Sequence, residues 1–207
     1  MEKQTRPKID EKFQKNFHTH TCDVSDEQSV KDAFAWIEEK FGGVDVLINN
    51  AGMMQMSDLT AADNSTIVKN TVSTNILGVV WCTRETVRSM EQRKFNGHIV
   101  NVSSIVGHFI PRMTGYNLNI YPPTKHAIKA MTEVLRQELL AKETKIKISS
   151  VSPGAVRTEF LGEGVELPEN TPALKPEEVA DAIVYCIQTP PTVQIHDMII
   201  NPVGATY

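Results

Sequence analysis

The sequence predicts an α/β domain built on a doubly wound parallel sheet. Three observations lead there. Short apolar runs alternate with longer stretches of helical period along the whole chain, the pattern of strands joined by crossover helices. Three of those runs end in polar or turn-forming residues, at Asn49–Gly52, Ser103–Ser104 and Pro153–Gly154, where sites form in such sheets. The 207 residues suffice for one domain with a full core.

Each element follows in order. "NFHTHTCDV" alternates weakly and ends in Asp23 and Val24, which predicts a short first strand. "SDEQ" has capping-box spacing, with Ser25 as cap and Gln28 reaching back. A helix to about Lys40 follows, with Val30, Phe34 and Ile37 on one face, and "FGG" stops it. "VDVLI" at 44–48 reads as a buried strand, broken by "NNAG". One helical stretch covers about 64–93, and "GHIVNVSS" is a strand with a polar exit. An irregular loop at 105–120 leads to a helix over about 121–142 with Ile128, Met131, Val134, Leu135 and Leu139 as its stripe. "KIKISSVSPG" is a strand ending in a Pro-Gly turn, 176–187 a helix opened by proline, and "HDMIIN" a last strand.

Composition narrows the function. The net charge is −4 and the 21 basic residues are scattered, so no basic stripe points to nucleic acid. Three cysteines far apart, Cys22, Cys82 and Cys186, argue against a disulfide framework or zinc site and fit a reducing, cytoplasmic compartment. No apolar run reaches the ~20 residues of a membrane span. His18 and His20 alternate as on a strand, and His108 and His126 lack metal-ligand spacing, so no metal is assigned.

"NIYPPTKHAIKAM" places Tyr121 and Lys125 four apart, with Pro122 and Pro123 marking a first helical turn. That spacing puts phenol and ammonium on one face. A neighbouring ammonium and the positive helix end both favour phenolate, which suits a general acid/base. A tyrosine merely packed at a helix start is the competing reading.

With "NNAG" (49–52), Asn75 in "STNILG", "IVNVSSIVG" (99–107), Tyr121-x-x-x-Lys125, "SPGAVRT" (152–158) and "CDVSDE" (22–27) in this order, the chain resembles the short-chain dehydrogenase/reductase family from about residue 18 to the end. "AMTEVLRQELL" and "TPPTVQIHDMIINP" look closest to its subgroup of insect farnesol dehydrogenases and their vertebrate relatives. The resemblance implies a Rossmann-like fold and hydride transfer between a nicotinamide cofactor, NADP or NAD, and an apolar alcohol or ketone. It implies a catalytic set of Asn75, Ser104, Tyr121 and Lys125. Tyr121 would exchange a proton with the substrate oxygen, Lys125 would hold the nicotinamide ribose, and Ser104 rather than Ser103 would bind the substrate oxygen. Asn75 would steady a water linking Lys125 to solvent, or be plain helix polarity.

On the cofactor side it implies Asp23 and Val24, Asn50, Ala51 and Gly52, Tyr121 and Lys125, and Pro153, Gly154, Val156 and Thr158. Asp23 would accept from an adenine amino group or cap the next helix; "NNAG" would line the crevice or make a plain tight turn. Met53, Met54, Met56, Phe109, Ile110, Met113, Phe160 and Leu161 would wall an apolar substrate or simply pack loops onto the core. Helices 64–93 and 121–142 resemble those the family uses to form homodimers or tetramers.

One departure stands out. The first glycine is Gly42, so the family's first strand, glycine-rich turn and second strand are expected to be missing. Residues 1–17 are then a charged extension and 18–207 an N-terminally truncated dehydrogenase domain, whose turnover by itself is doubtful; a non-catalytic fragment or pseudoenzyme acting as a dimerisation partner is the competing reading. "HTHTCDV" is expected to pair directly with "VDVLI".

Overall fold

The computed structural model describes residues 10–112, 117–161 and 167–205. Its elements are α1 (Glu11–Gln14), α2 (Glu27–Phe41), β1 (Val46–Asn49), α3 (Ser65–Val72), α4 (Gly78–Arg93), β2 (His98–Val102), α5 (Tyr121–Ala141), β3 (Lys147–Pro153), α6 (Pro176–Gln188) and β4 (Asp197–Ile200). The four strands lie in the order β1-β2-β3-β4, all parallel. Parallel neighbours require crossovers, and every crossover here carries a helix.

Alternation of side chains assigns the two faces. Ile99 and Ile148 point to one face, where they pack with Val87 and Met90 of α4 and Leu139 of α5. Val100 and Val151 point to the other, where Ile183 and Cys186 of α6 cover them. Each position is shielded on both sides, so β2 and β3 are rich in buried residues along their whole length. A third cluster joins α2 to α4 through Val30, Phe34, Val44 and Cys82.

Residues 18–24 are a correction. They form no strand and do not pair with β1. The reason is aromatic: the His20 ring stacks on Trp36 at 4.7 Å, and Lys40 Nζ donates to His18 Nδ1 at 3.0 Å. These contacts draw the segment along α2 instead of along the sheet edge. Among the described residues β1 has no outer neighbour, and Val46 and Ile48 are 40% and 43% exposed. The cap of α2 also differs. Asp26, not Ser25, accepts from the N–H groups of Gln28 and Ser29, because the Ser25 hydroxyl is already donated to Asp23 at 2.7 Å. Gln28 reaches forward to Asp32.

Two glycines mark close approaches. A Cβ on Gly97 would stand 2.2 Å from Asp45 O, and one on Gly107 would stand 2.7 Å from Lys125 O. The second contact presses the exit of β2 onto the first turn of α5.

Candidate active site

The helical stretch predicted over 64–93 is interrupted. Ser73–Leu77 form one π-helical turn, closed by Gly78 N–H donating to Ser73 O. Such widened turns sacrifice regular bonding and need compensation. Asn75 supplies it. Its Oδ1 accepts from Met53 N–H at 2.8 Å, and its Nδ2 donates to Met53 O at 2.9 Å and to Thr124 Oγ1 at 3.1 Å. The side chain is fully buried and sews the loop after β1 to the first turn of α5. Both amide protons are spent on protein, so Asn75 does not hold a water through its amide nitrogen.

Tyr121 opens α5 with Pro122 next to it, as the sequence predicts. Ser104 Oγ accepts from Val106 N–H at 3.3 Å and stands close enough to the phenol to favour its ionised form. The neighbouring Ser103 is occupied elsewhere, donating to Lys125 O at 3.1 Å. Lys125 returns under the tyrosine with Nζ 5.7 Å from the ring centroid, and donates to Val102 O at 2.9 Å. A Cβ placed on Gly52 would lie 3.5 Å from Asn75 Oδ1, 3.7 Å from Phe160 Cε2 and 3.8 Å from Lys125 Nζ. Four elements therefore converge on one point: the β1 exit, the π turn, α5 and the segment after β3.

The electrostatics run opposite to the expected drift toward phenolate. Burial pushes the Tyr121 phenol up to about 12, with Ser104 pulling the other way. Burial also pushes Lys125 down to about 8. In each case burial disfavours the charged form.

The candidate cofactor residues divide. Pro153 ends β3, and Gly154 N–H donates to Ile200 O at 2.8 Å, fixing the turn beside β4. Val156 bridges Leu174, and Thr158 Oγ1 accepts from Phe160 N–H at 3.3 Å. Asn50 and Ala51 are exposed beside Gly52. Val24 packs against Gly78 at the end of the π turn. The Asp23 carboxylate accepts from both the N–H and the hydroxyl of Ser25, which lowers its pKa and closes an Asx turn; it does not cap α2. Among the apolar candidates, Met54 is buried with Ile105, Val106 and Tyr121, and Met56 and Phe109 pack against them. The Phe160 ring leans on Tyr121 at 5.8 Å, while Ile110 is largely exposed. Met113 and the side chain of Leu161 lie outside the described residues.

Sequence reasoning singled out Asn50 and passed over its neighbour. Asn49 is buried, in register with Asn101 across β1 and β2, and donates to Asn101 Oδ1 at 2.8 Å and to Thr83 Oγ1 at 3.1 Å. Asn101 donates onward to Thr132 Oγ1 on α5 at 2.9 Å. Two asparagines at matching ends of adjacent strands were the available signal. This ladder ties the sheet to α5 one turn beyond Ile128.

Comparison with known proteins agrees with this geometry. The profile of the short chain dehydrogenase family matches residues 2–166. The chain is similar to farnesol dehydrogenase of Aedes aegypti, 41% identical over 96% of this chain and 80% of that one. It is similar also to dehydrogenase/reductase SDR family member 11 of Mus musculus, 38% identical over 88% of this chain and 73% of that one. Among solved structures it superposes on a serine dehydrogenase complexed with NADP+ (TM-score 0.84, 25% identity, 100% of this chain, 82% of that one). It superposes likewise on an alcohol dehydrogenase of Thermococcus sibiricus complexed with 5-hydroxy-NADP (TM-score 0.77, 25% identity, 91% and 75%).

Proposed function

Because the chain belongs to the short-chain dehydrogenase/reductase family, we propose that its cluster of Asn75, Ser104, Tyr121 and Lys125 interconverts an apolar alcohol and its ketone or aldehyde, with NADP favoured. The observation that carries this is the convergence of Gly52, Asn75, Lys125 and Phe160 on one point beside the Ser104–Tyr121 pair. Farnesol-like alcohols are the favoured substrate class, from the Aedes aegypti relative and from the Met54, Met56 and Phe109 packing around Tyr121.

The residues present fit the nicotinamide end of a dinucleotide. Lys125 Nζ uses one of its three protons on Val102 O, which leaves two directed donors for ribose hydroxyls. Gly52 keeps clear a spot that a Cβ would fill. The cofactor, when bound, supplies or takes the hydride. This chain's own part is proton transfer and orientation. The Ser104 hydroxyl holds the substrate oxygen, and Tyr121 Oη gives that oxygen a proton during reduction or takes it during oxidation. Lys125 would steady the negative charge that passes through the phenol. Neutral Tyr121, with its pKa near 12, is the form able to donate. A bound substrate oxygen and the ammonium must then ease the phenol's deprotonation in the reverse direction.

The pyrophosphate end is different. Gly42 is the first glycine, and we propose that the 207-residue chain by itself holds the dinucleotide weakly. Fluorescence titration with NADPH tests this; a low-micromolar dissociation constant (about −8 kcal/mol) would refute it. The catalytic reading is tested on the chain joined to an upstream strand–glycine turn–helix–strand segment of the kind the family resemblance implies. That protein should oxidise an apolar alcohol, and Tyr121→Phe should slow the reaction about 10²- to 10⁴-fold.

A second observation favours self-association. An apolar cleft of about 550 Å³ runs between α4 and α5, apart from the catalytic cluster, with Val80 and Val134 exposed along it and Met131 and Leu135 among its lining. We propose that a second copy covers it, giving a homodimer or tetramer through these helices. A strict monomer by light scattering would overturn that.

A further inference from the structure

His108 closes the short turn that Ser104 opens. The N–H of Gly107 donates to Ser104 O, and the N–H of His108 donates to Ile105 O, both at 2.9 Å. The half-buried His108 ring then leaves the turn and joins a polar cluster drawn from three other elements. Its Nε2 lies 3.0 Å from Ser152 Oγ on β3 and 3.4 Å from Asp197 Oδ2 on β4. Its Nδ1 lies 3.0 Å from Lys129 Nζ on α5. The Ser152 hydroxyl donates to Asp197 Oδ1 at 3.2 Å.

These contacts assign the ring's proton. An ammonium has no lone pair, so Nδ1 must accept from Lys129 and the hydrogen must sit on Nε2. Donation then runs one way, from Lys129 through His108 and Ser152 to the Asp197 carboxylate. An imidazolium would break that order, because its Nδ1–H would point at an ammonium. The surrounding charges compete. Burial opposes protonation most strongly, Asp197 favours it, and Lys129 and His126 on α5 oppose it. Ser152 directly precedes the Pro153–Gly154 turn, so the cluster also couples the serine segment to the end of β3.

We propose that His108 is a positioning residue for Ser104: its neutral ring, gripped by Lys129 on one side and by Ser152 and Asp197 on the other, pins the Ile105–Gly107 turn, and protonation releases it. The link to turnover rests on the reading of Ser104 given above.

The test uses the isotope-labelled 207-residue chain and needs neither cofactor nor turnover. Two-bond proton–nitrogen spectra read the His108 tautomer and titration midpoint, and amide exchange at Gly107 and His108 reads the turn. The expected result is the Nε2–H tautomer above the midpoint. Protection, corrected for intrinsic exchange, should fall roughly tenfold as the ring protonates. His108→Gln keeps a donor in reach of Ser152 and cannot titrate, so its protection should stay high on both sides of the midpoint. Lys129→Met removes an opposing charge, so the midpoint and the loss of protection should move together to higher pH. A merely structural histidine would not make the protection follow that shift. An Nδ1–H tautomer, or protection that ignores the titration, overturns the proposal. Should Tyr121→Phe retain full turnover in the fused enzyme, the dehydrogenase reading falls while these spectra still decide the role of His108.

Discussion

At the carboxyl ends of β1 and β2 the chain buries polar side chains; at the outer edge of β1 it exposes apolar ones. Asn49, Asn75, Asn101, Ser103 and Lys125 are all buried, and each has a hydrogen-bond partner from another segment. Val46 and Ile48, at most three residues from Asn49, lie 40% and 43% exposed, paired with β2 on one side and with no strand on the other among the described residues. The difference teaches where this fold is over-determined. A buried polar group stripped of its partner costs roughly 1–3 kcal/mol, so every member of the crevice network is constrained by the others. An exposed valine on an edge has nothing comparable to lose.

The largest effect should come from the crevice. Tyr121→Phe removes one hydroxyl and keeps the ring contact with Phe160, so turnover of the fused enzyme should drop about 10²- to 10⁴-fold while melting barely changes. A drop in melting that matches the drop in turnover would erase the distinction between chemistry and packing. Asn75→Ala comes next. It leaves Met53 N–H and O without their partner, while the Thr124 hydroxyl keeps its bond to Tyr121 O, and denaturant unfolding should show a loss of about 2–4 kcal/mol.

Acid should expose the same asymmetry at the start of β2. His98 is 3% exposed and burial pushes it down to about 4, with Lys147 adding to the effect. Its folded pKa lies below its unfolded one, so the unfolded chain takes up the proton first. Stability is therefore full above about 6.5 and falls as pH drops from there to about 4, by about 2–3 kcal/mol. His98→Gln should flatten that part of a stability-against-pH curve; an unchanged slope would assign the acid sensitivity elsewhere. The smallest effect belongs to the edge. Ile48→Thr should shift stability by less than about 0.5 kcal/mol, and a larger loss would show that the edge is covered in solution.

These two regions were also unequally legible in the sequence. β1, β2, β3 and β4 announce themselves as apolar runs bounded by Gly, Pro or Asn, and Pro122 marks the start of α5. Ser104, Tyr121 and Lys125 of the proposed catalytic set were visible because they sit at a strand exit and a helix start, where local signals are strong, whereas Asn75, inside a helical stretch, was legible only through the family resemblance. What stayed hidden depends on distant partners. Nothing local distinguishes the π turn from an α turn, since its compensation comes from Met53, 22 residues upstream in sequence. Ser25 and Asp26 are both capping residues, and only the pull of Asp23 on the serine decides between them. The histidine–threonine alternation at 18–21 looked like a strand until Trp36 and Lys40 claimed its rings. The proximity of Lys125 to Tyr121 is readable from spacing, whereas the burial that pushes the phenol up to about 12 is not.

The turn at Ser73–Leu77 also bears on how this protein tolerates changes of length. Each residue of a helix advances the thread by about 100°. The wide turn therefore sets α3 and α4 on two offset threads, one presenting Asn75 to Met53 and the other presenting Val79, Cys82 and Met90 inward. Deleting one residue there would re-cut both threads as one, so that either the carboxamide or the row of apolar teeth must swing outward. Crevice and interior are geared together at this point, and no shortened version of the segment can serve the two at once.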